Sequence, residues 1–102
     1  NPASWSEALA TVKGNNIILI LNAREVDGID TSWLYDVSFD ALKGKKIIVC
    51  GERAHDIHYR LIVAGIENTL ERSAPSAFSH FAKSEIVEVL AAYTAFTSLV
   101  AP

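Results

Sequence analysis

Two stretches of the chain consist almost entirely of apolar residues and are too short to be typical helices. Residues 17–21 are five consecutive isoleucines and leucines, and residues 46–51 repeat the pattern as KIIVCG. A strand that is apolar on both sides belongs inside a sheet that is covered on both faces, and such sheets are usually parallel. The pattern therefore predicts two strands of a buried, mostly parallel sheet.

Each of these strands has a predicted helix beside it in the sequence. The first helix is expected over residues 2–13, with Asn1 as a favourable N-cap and Pro2 at the first helical position. A second helix is expected over residues 54–64, where apolar residues recur at helical spacing and Gly65 supplies the stop. A strand followed by a helix is the repeating unit of parallel α/β sheets.

The remaining segments continue this alternation with shorter elements. They are two helical turns over 32–36 and 38–42, a third strand over 66–71, a short helix over 76–83, a strand over 86–91 and a last helix over 94–100. One amphipathic helix across 85–100 is the alternative for the last two. The whole chain, residues 1–102, is thus predicted to be one domain with a three-layer, Rossmann-like α/β fold.

Composition narrows the classes of partner. The net charge is −3 and the nine lysines and arginines are scattered, whereas a nucleic-acid surface normally needs a basic patch, so we expect no nucleic-acid partner. The single Cys50 lies in an apolar run and is expected to be a small buried hydrophobic residue. Neither a membrane-spanning run nor a signal peptide is present, which favours a cytoplasmic location.

The chain contains no methionine and starts at Asn1. This start is typical of a domain excised from a longer protein, so further domains are expected upstream.

Common catalytic motifs are absent from the sequence. It lacks the phosphate-binding loop GxxxxGK[ST], the dinucleotide fingerprint GxGxxG and the nucleophile elbow GxSxG. His55 and His58 are three residues apart on the predicted second helix, but zinc needs three or four ligands, so a solvated helix face is favoured over a metal site. We expect the fragment to hold no metal and to be an incomplete enzyme.

Polar residues follow both apolar strands, and ligands gather at the carboxyl ends of parallel strands. Asn22, Asp27, Asp30 and Asp36 follow the first strand, and Arg53 follows the second together with its neighbours Gly51 and Glu52. Loop solvation or turn capping is the alternative role for each carboxylate. Arg53, Asp56 and Arg60 also have the spacing of ion pairs along a helix.

Several strings together resemble the C-terminal domain of the MurT family of Mur-ligase-like subunits. Residues 27–36 (DGIDTSWLYD) are similar to the family's D-G-x-D-x-S-W-x-x-D, and residues 51–65 are similar to G-x-R-x-x-D-x-x-x-R-L-x-x-A-G. The opening Asn-Pro-Ala at 1–3, the Leu-Asn at 21–22 and the Tyr-Thr-Ala at 93–95 also agree. Asn22 is followed by Ala23 where the family usually has Asp, which weakens any nucleotide contact through a carboxylate in this loop.

The resemblance implies a role in cell-wall synthesis. Together with a GatD-like glutamine amidotransferase, MurT subunits convert the D-glutamate of the lipid II stem peptide to D-isoglutamine. ATP, with Mg²⁺, activates the carboxylate as an acyl phosphate, and the partner releases ammonia from glutamine with a Cys-His pair. An Asp just before the family's Asn-Pro pair completes that partner's triad, so it would lie immediately before Asn1.

The resemblance also implies how this fragment would be used in the parent protein. It would be the mobile C-terminal lobe, with N-terminal and central ligase domains upstream. We expect Asn1 and Pro2 to fix the entry of the first helix beside the partner. Asn22, Asp27, Asp30, Asp36 and Arg53 are expected to form the edge that faces the partner or the nucleotide. Alone, the fragment should not hydrolyse ATP.

Two other hypotheses remain from the sequence. One is the C-terminal lobe of another Mur-type or folylpolyglutamate-type ligase, which would have no amidotransferase partner. The other is a free-standing, flavodoxin-like binding module. An Asp immediately upstream of Asn1 would favour the MurT family, a D-Y-A-H-type string would favour the other ligases, and a short open reading frame would favour the free-standing module.

Overall fold

The computed structural model describes residues 2–22 and 32–93. Helices and strands alternate along the described chain. In order they are helix α1 (Pro2–Ala10), strand β1 (Asn16–Asn22), two 3₁₀ helices (Ser32–Asp36 and Asp40–Leu42), strand β2 (Lys46–Cys50), helix α2 (Ala54–Val63), strand β3 (Thr69–Leu70), helix α3 (Ala74–Phe78) and strand β4 (Glu88–Tyr93).

The four strands form one parallel sheet in the order β3-β2-β1-β4. Ile17 of β1 lies beside Ile47 on one side and Glu88 on the other, which places the two longest apolar runs at the centre. The predicted α/β fold with a parallel sheet is confirmed. Because β4 pairs with β1 along its whole length, a single helix across 85–100 is wrong for residues 88–93.

The first face of the sheet, defined here by Ile17, Leu19 and Leu21 of β1 with Ile47 and Val49 of β2, carries most of the core. Side chains alternate between the two faces of a strand, so every second residue of both runs points to this face. This face is covered by α1, by residues 32–42 with their two 3₁₀ helices (called the 3₁₀ segment below), by α2 and by the connection after α2. The buried residues of this cover are Trp5, Leu9, Leu34, Val37, Phe39, Leu42, Ala54, Ile57, Leu61 and Ile66.

The second face, which carries the intervening residues of the same strands, is covered by fewer of the described residues. Ile18, Ile48 and Cys50 pack there against Ala77 of α3 and Phe81. Lys46 adds a cation–π contact, with its Nζ 4.7 Å from the centre of the Phe81 ring. Val89, which is paired with Ile18 in the sheet, is still 41% exposed. The described residues therefore bury this face beside β2 and leave Val89 partly exposed beside β4.

Arg60 of α2 holds the 3₁₀ segment against the first face. Its Nε donates to the carbonyl of Leu34 at 2.9 Å, and its Nη2 donates to the carbonyl of Val37 at 2.8 Å. The guanidinium also lies 5.2 Å from the ring centres of Tyr35 and Phe39. The spacing of Arg60 with Asp56 had indicated an ion pair on the helix surface, but the arginine bonds to these carbonyls instead.

The first helix is shorter than predicted, because α1 ends at Ala10 and the chain then turns. The Thr11 hydroxyl donates to the carbonyl of Ala8 at 2.7 Å. The Glu88 carboxylate accepts hydrogen bonds from the backbone N–H groups of Lys13 (3.1 Å) and Gly14 (2.6 Å), and so ties β4 to the connection between α1 and β1.

The third strand also differs from the prediction over 66–71, since β3 contains only Thr69 and Leu70. Ile66 is buried in the core of the first face, and its carbonyl accepts from the Asn68 side chain at 3.2 Å. The oxygen of that side chain lies 2.7 Å from Nδ1 of His58. His58 is therefore half-buried and paired, whereas a solvated position was expected; His55 is exposed as predicted.

The short helix expected over 76–83 begins two residues earlier and ends at Phe78. Ser73 is its N-cap, because its hydroxyl accepts from the N–H of Ser76 at 3.2 Å, and Pro75 suits the first turn. The predicted last helix, 94–100, lies outside the described residues. Within the described part of the chain, no helix combines the length and apolar composition needed to cross a bilayer.

Candidate functional site

The carboxyl ends of β1, β2 and β3 meet at one edge of the sheet. We call this the carboxyl edge and define it by Leu21–Asn22, Gly51–Arg53 and the segment 71–73. Because the sheet is parallel, three connections that are distant in the sequence are brought together there. The loops that follow β1 and β4 lie outside the described residues.

Gly51 lets the chain leave β2 directly over the end of β1. Its φ of +107° lies in the region that favours glycine. A Cβ at this position would lie 2.4 Å from the carbonyl oxygen of Leu21 and 2.9 Å from Oδ1 of Asn22. Only glycine permits this close approach, so Gly51 fixes the direction in which the following residues leave the sheet.

Asn22 holds the residues that follow this turn. Its Oδ1 accepts from the N–H of Glu52 at 2.8 Å, and the carbonyl of Leu21 accepts from the N–H of Arg53 at 2.8 Å. Two residues at the end of β1 thus fix the backbone after β2. The predicted edge residues Asn22 and Arg53 are brought together, and the amide oxygen of Asn22 is used to position the loop.

Arg53 and Asp56 form an ion pair at the start of α2. The Nη2–Oδ2 distance is 2.8 Å, and both side chains are about one-third exposed, at 30% and 31%. Such a pair contributes little to stability when it is solvated, typically below ~1 kcal/mol. Its effect here is to hold the Arg53 guanidinium close to the first turn of α2.

Two other predicted site residues, Asp36 and Pro2, are described by the structure. Asp36 is exposed at the end of the first 3₁₀ helix, which packs against α1 and α2. Pro2 is the first residue of α1. Asn1, Asp27 and Asp30 lie outside the described residues, so the place of Asn1 at the entry of α1 and those of Asp27 and Asp30 at the carboxyl edge stay predictions.

Two adjoining cavities lie at the carboxyl edge, with volumes of about 310 and 520 Å³. Both are lined by Gly51, Glu52 and Arg72. The smaller cavity is completed by Ile20, Asn22, Cys50, Ser73 and Ala74, and the larger by Ala54, His55, Leu70 and Glu71. The edge therefore offers space for a ligand on both sides of the Gly51 turn.

Cys50 lines the smaller cavity but is not a reactive thiol. Burial raises its pKa above the ordinary value of 9.0, and the Glu71 carboxylate raises it further. Because the thiolate is the nucleophilic form, a protonated Cys50 is a poor nucleophile at neutral pH. What this edge can do is bind and position, through side chains and backbone groups.

The segment after β3 was not among the predicted site residues. Glu71 pairs with His80, with 2.5 Å between Oε2 and Nε2, and Arg72 lies on the rim of both cavities. The rule applied to the first two strands, that polar residues after a parallel strand lie at its ligand-binding edge, would also have selected Arg72 after the predicted third strand.

Comparison with known proteins adds an independent finding. Residues 1–96 match a family described as MurT ligase C-terminal. Two similar proteins are the lipid II isoglutaminyl synthase (glutamine-hydrolyzing) subunits MurT of Staphylococcus aureus strains COL and N315. Each is 38% identical over 74 residues, covering 66% of this chain and 17% of the relative. The chain thus spans a small part of the curated relatives that it matches.

Proposed function

Since this chain belongs to the MurT ligase C-terminal family, we propose that it is the C-terminal lobe of the ligase subunit of a lipid II isoglutaminyl synthase. The S. aureus relatives are named as glutamine-hydrolyzing subunits, which supports this choice over other ligases. The proposal covers the parent protein, in which the lobe would act with N-terminal and central domains.

In the proposed reaction, the α-carboxylate of D-glutamate in the lipid II stem peptide becomes the amide of D-isoglutamine. The carboxylate attacks the γ-phosphorus of ATP, which gives an acyl phosphate and ADP. Ammonia released from glutamine by a GatD-like partner then attacks the acyl carbon and expels phosphate. ATP and Mg²⁺ would bind mainly to the central domain, because this chain lacks the GxxxxGK[ST] loop.

The observation that carries the proposed role of this lobe is the construction of the carboxyl edge. The turn at Gly51 and the hydrogen bonds of Asn22 fix the backbone, while two cavities stay open beside it. A fixed loop beside an open hollow suits a lobe that closes over a site built on another domain. Closure of this kind excludes water and completes an active site.

The start of α1 is the proposed place of the amidotransferase partner. An Asp immediately before Asn1 in the parent protein would orient the partner's catalytic histidine and stabilise its charged form, as the acid does in a Ser-His-Asp triad. The complex would work in the cytoplasm, where ATP and glutamine are available.

The test is reconstitution of the parent protein with its GatD-like partner. We expect lipid II to gain an amide only when ATP and glutamine are both present, measured as the carboxyl-to-amide mass change of the stem peptide. Free ammonia should replace glutamine, and replacing the Asp before Asn1 with Asn should stop glutamine-dependent but not ammonia-dependent amidation. The purified 102-residue chain is the control and should hydrolyse no ATP.

Two outcomes would contradict the proposal. Addition of a whole amino acid to the stem peptide or to a folate, with no use of ammonia, would favour another Mur-type or folylpolyglutamate-type ligase. A parent gene that encodes only this domain would favour a free-standing, flavodoxin-like module.

A further inference from the structure

Two of the three arginines in the described part of the chain make clear intramolecular contacts. Arg60 donates to two carbonyls of the 3₁₀ segment, and Arg53 pairs with Asp56. Arg72 differs from both. Its side chain is exposed, and within residues 2–22 and 32–93 its guanidinium makes no hydrogen bond, ion pair or ring contact.

The backbone around Arg72 is nevertheless held on both sides. On one side, the N–H of Glu71 donates to the carbonyl of Val49 at 2.8 Å, and the Glu71 carboxylate pairs with His80. On the other side, the Ser73 hydroxyl caps α3 by accepting from the N–H of Ser76. A cationic side chain that contacts none of the described residues through its guanidinium therefore extends from a backbone that is fixed in place.

Arg72 is also the cation that lines both cavities of the carboxyl edge. The lysines around the hollow of about 480 Å³ at the opposite edge are used differently. There, Lys45 donates to the carbonyl of Gly14 at 2.6 Å and Lys46 to the carbonyl of His80 at 2.5 Å. Among the described residues, the cation of the strand-end cavities thus has no partner, whereas the lysines of the opposite hollow donate to backbone carbonyls.

We infer that Arg72 binds a phosphate group of a ligand that the rest of the parent protein brings to the carboxyl edge. A guanidinium presents two parallel N–H groups to phosphate oxygens, and a fixed backbone limits the entropy lost on binding. The inference rests on the proposed function, in which two reactants carry phosphate: the nucleotide, and lipid II through its diphosphate. Glu52 lines both cavities beside Arg72, and Glu71, which lines the larger one, is paired with His80. Among the described residues that line these cavities, Arg72 is the only arginine or lysine.

The experiment uses the full-length subunit with its partner and compares R72A, R72K and K83A. Lys83 is exposed and lies outside both cavities, so K83A controls for the loss of one positive surface charge. We expect R72A to raise the KM of one phosphate-bearing reactant by about 10- to 100-fold, as loss of a charge-assisted hydrogen bond does. R72K should recover part of this loss, and K83A should stay within about twofold of the wild type.

The two sources of phosphate are separated by measuring both KM values. A rise for ATP alone assigns Arg72 to the nucleotide, and a rise for lipid II alone assigns it to the diphosphate. If neither KM changes by more than about twofold in R72A, or if K83A loses as much as R72A, the inference is wrong. The melting temperature and the glutaminase activity of the partner should not change, which separates binding from folding.

Failure of this inference can be told apart from failure of the proposed function. If the wild-type complex does not amidate lipid II, the proposed function is wrong whatever Arg72 does. If the wild-type complex is active and R72A matches it, only the role of Arg72 is wrong.

Discussion

The two faces of the sheet use the same strands but differ greatly in how they are covered. Within residues 2–22 and 32–93, fifteen buried residues form the core of the first face and five form that of the second, which is covered there by a helix of five residues and Phe81. Burial of apolar area is the main source of folding free energy. The first face should therefore supply most of the stability, and the second face should tolerate change better.

The difference also separates the two cations of the carboxyl edge. Arg53 is the N-cap residue of α2, which packs on the first face. Arg72 lies just before α3, which packs on the second face. The segment proposed to bind ligand is thus attached to the face with the smaller core among the described residues.

The largest expected effect comes from matched phenylalanine substitutions on the two faces. Phe39 is 1% exposed and Phe81 is 9% exposed. Phe39→Ala should lower the free energy of unfolding by about 4 kcal/mol, because it leaves a cavity in the larger core. Phe81→Ala should lower it by only about 2 kcal/mol, since the residues around Phe81 can collapse or hydrate. Urea denaturation of the 102-residue chain measures both, and equal losses would break the comparison of the two faces.

Gly51→Ala tests the turn that connects β2 to α2, the helix that packs on the first face. The new Cβ would meet the carbonyl of Leu21, which is backbone and cannot move aside, so we expect a loss of about 3 kcal/mol. Gly44→Ala is the matched control, since Gly44 also has a positive φ, +79°, but open space around it. That change should cost about 1 kcal/mol. If both variants unfold at the same urea concentration, the close approach at Gly51 has no energetic weight.

The strands of the central sheet could be predicted from the sequence because their signal is local. The runs that form β1 and β2 are continuous and apolar, and their ends are marked by polar residues or glycine. The predicted bounds of the shorter elements β3 and α3 differ from the observed ones, because the Ser73 cap and the Asn68 side chain decide where these elements begin and end. Side-chain hydrogen bonds of this kind leave little trace in hydrophobic periodicity.

The positions of Asn22 and Arg53 in the fold were predicted better than the contacts that the polar side chains make. The strand-end rule placed Asn22 and Arg53 at one edge, and the structure brings them together. That Asn22 would position the N–H of Glu52 depends on the register between β1 and β2, which the sequence does not specify. The partners of Arg60 are backbone carbonyls 26 and 23 residues away, so spacing within the helix suggested the wrong contact.

Arg60→Ala tests how much polar contacts add to the stability of the first face, since it removes two hydrogen bonds there. We expect a loss of about 2 kcal/mol, because two charge-assisted hydrogen bonds to carbonyls disappear in a part-buried site. Lys43→Ala is the control, since it breaks an ion pair with Asp40 whose side chains are 59% and 75% exposed. The control should change stability by less than about 0.5 kcal/mol. A loss no larger than that of the control would show that Arg60 does not hold the 3₁₀ segment.

The smallest expected effect concerns Cys50 and measures how well water is excluded from the second face beside β2. Burial, and then the charge of Glu71, raise the pKa of Cys50 in the folded state above 9.0. Above that pH the unfolded chain ionises its thiol while the folded chain keeps the proton. The unfolded state is then favoured, and stability present below pH 9 is lost as the pH rises. Between pH 8 and 10, the free energy of unfolding should therefore fall more for the wild type than for Cys50→Ala, which has no thiol to titrate. Urea denaturation at several pH values measures both slopes. Parallel slopes would mean that the thiol ionises as easily in the folded chain as in the unfolded one, so that water reaches the second face even where its cover is best.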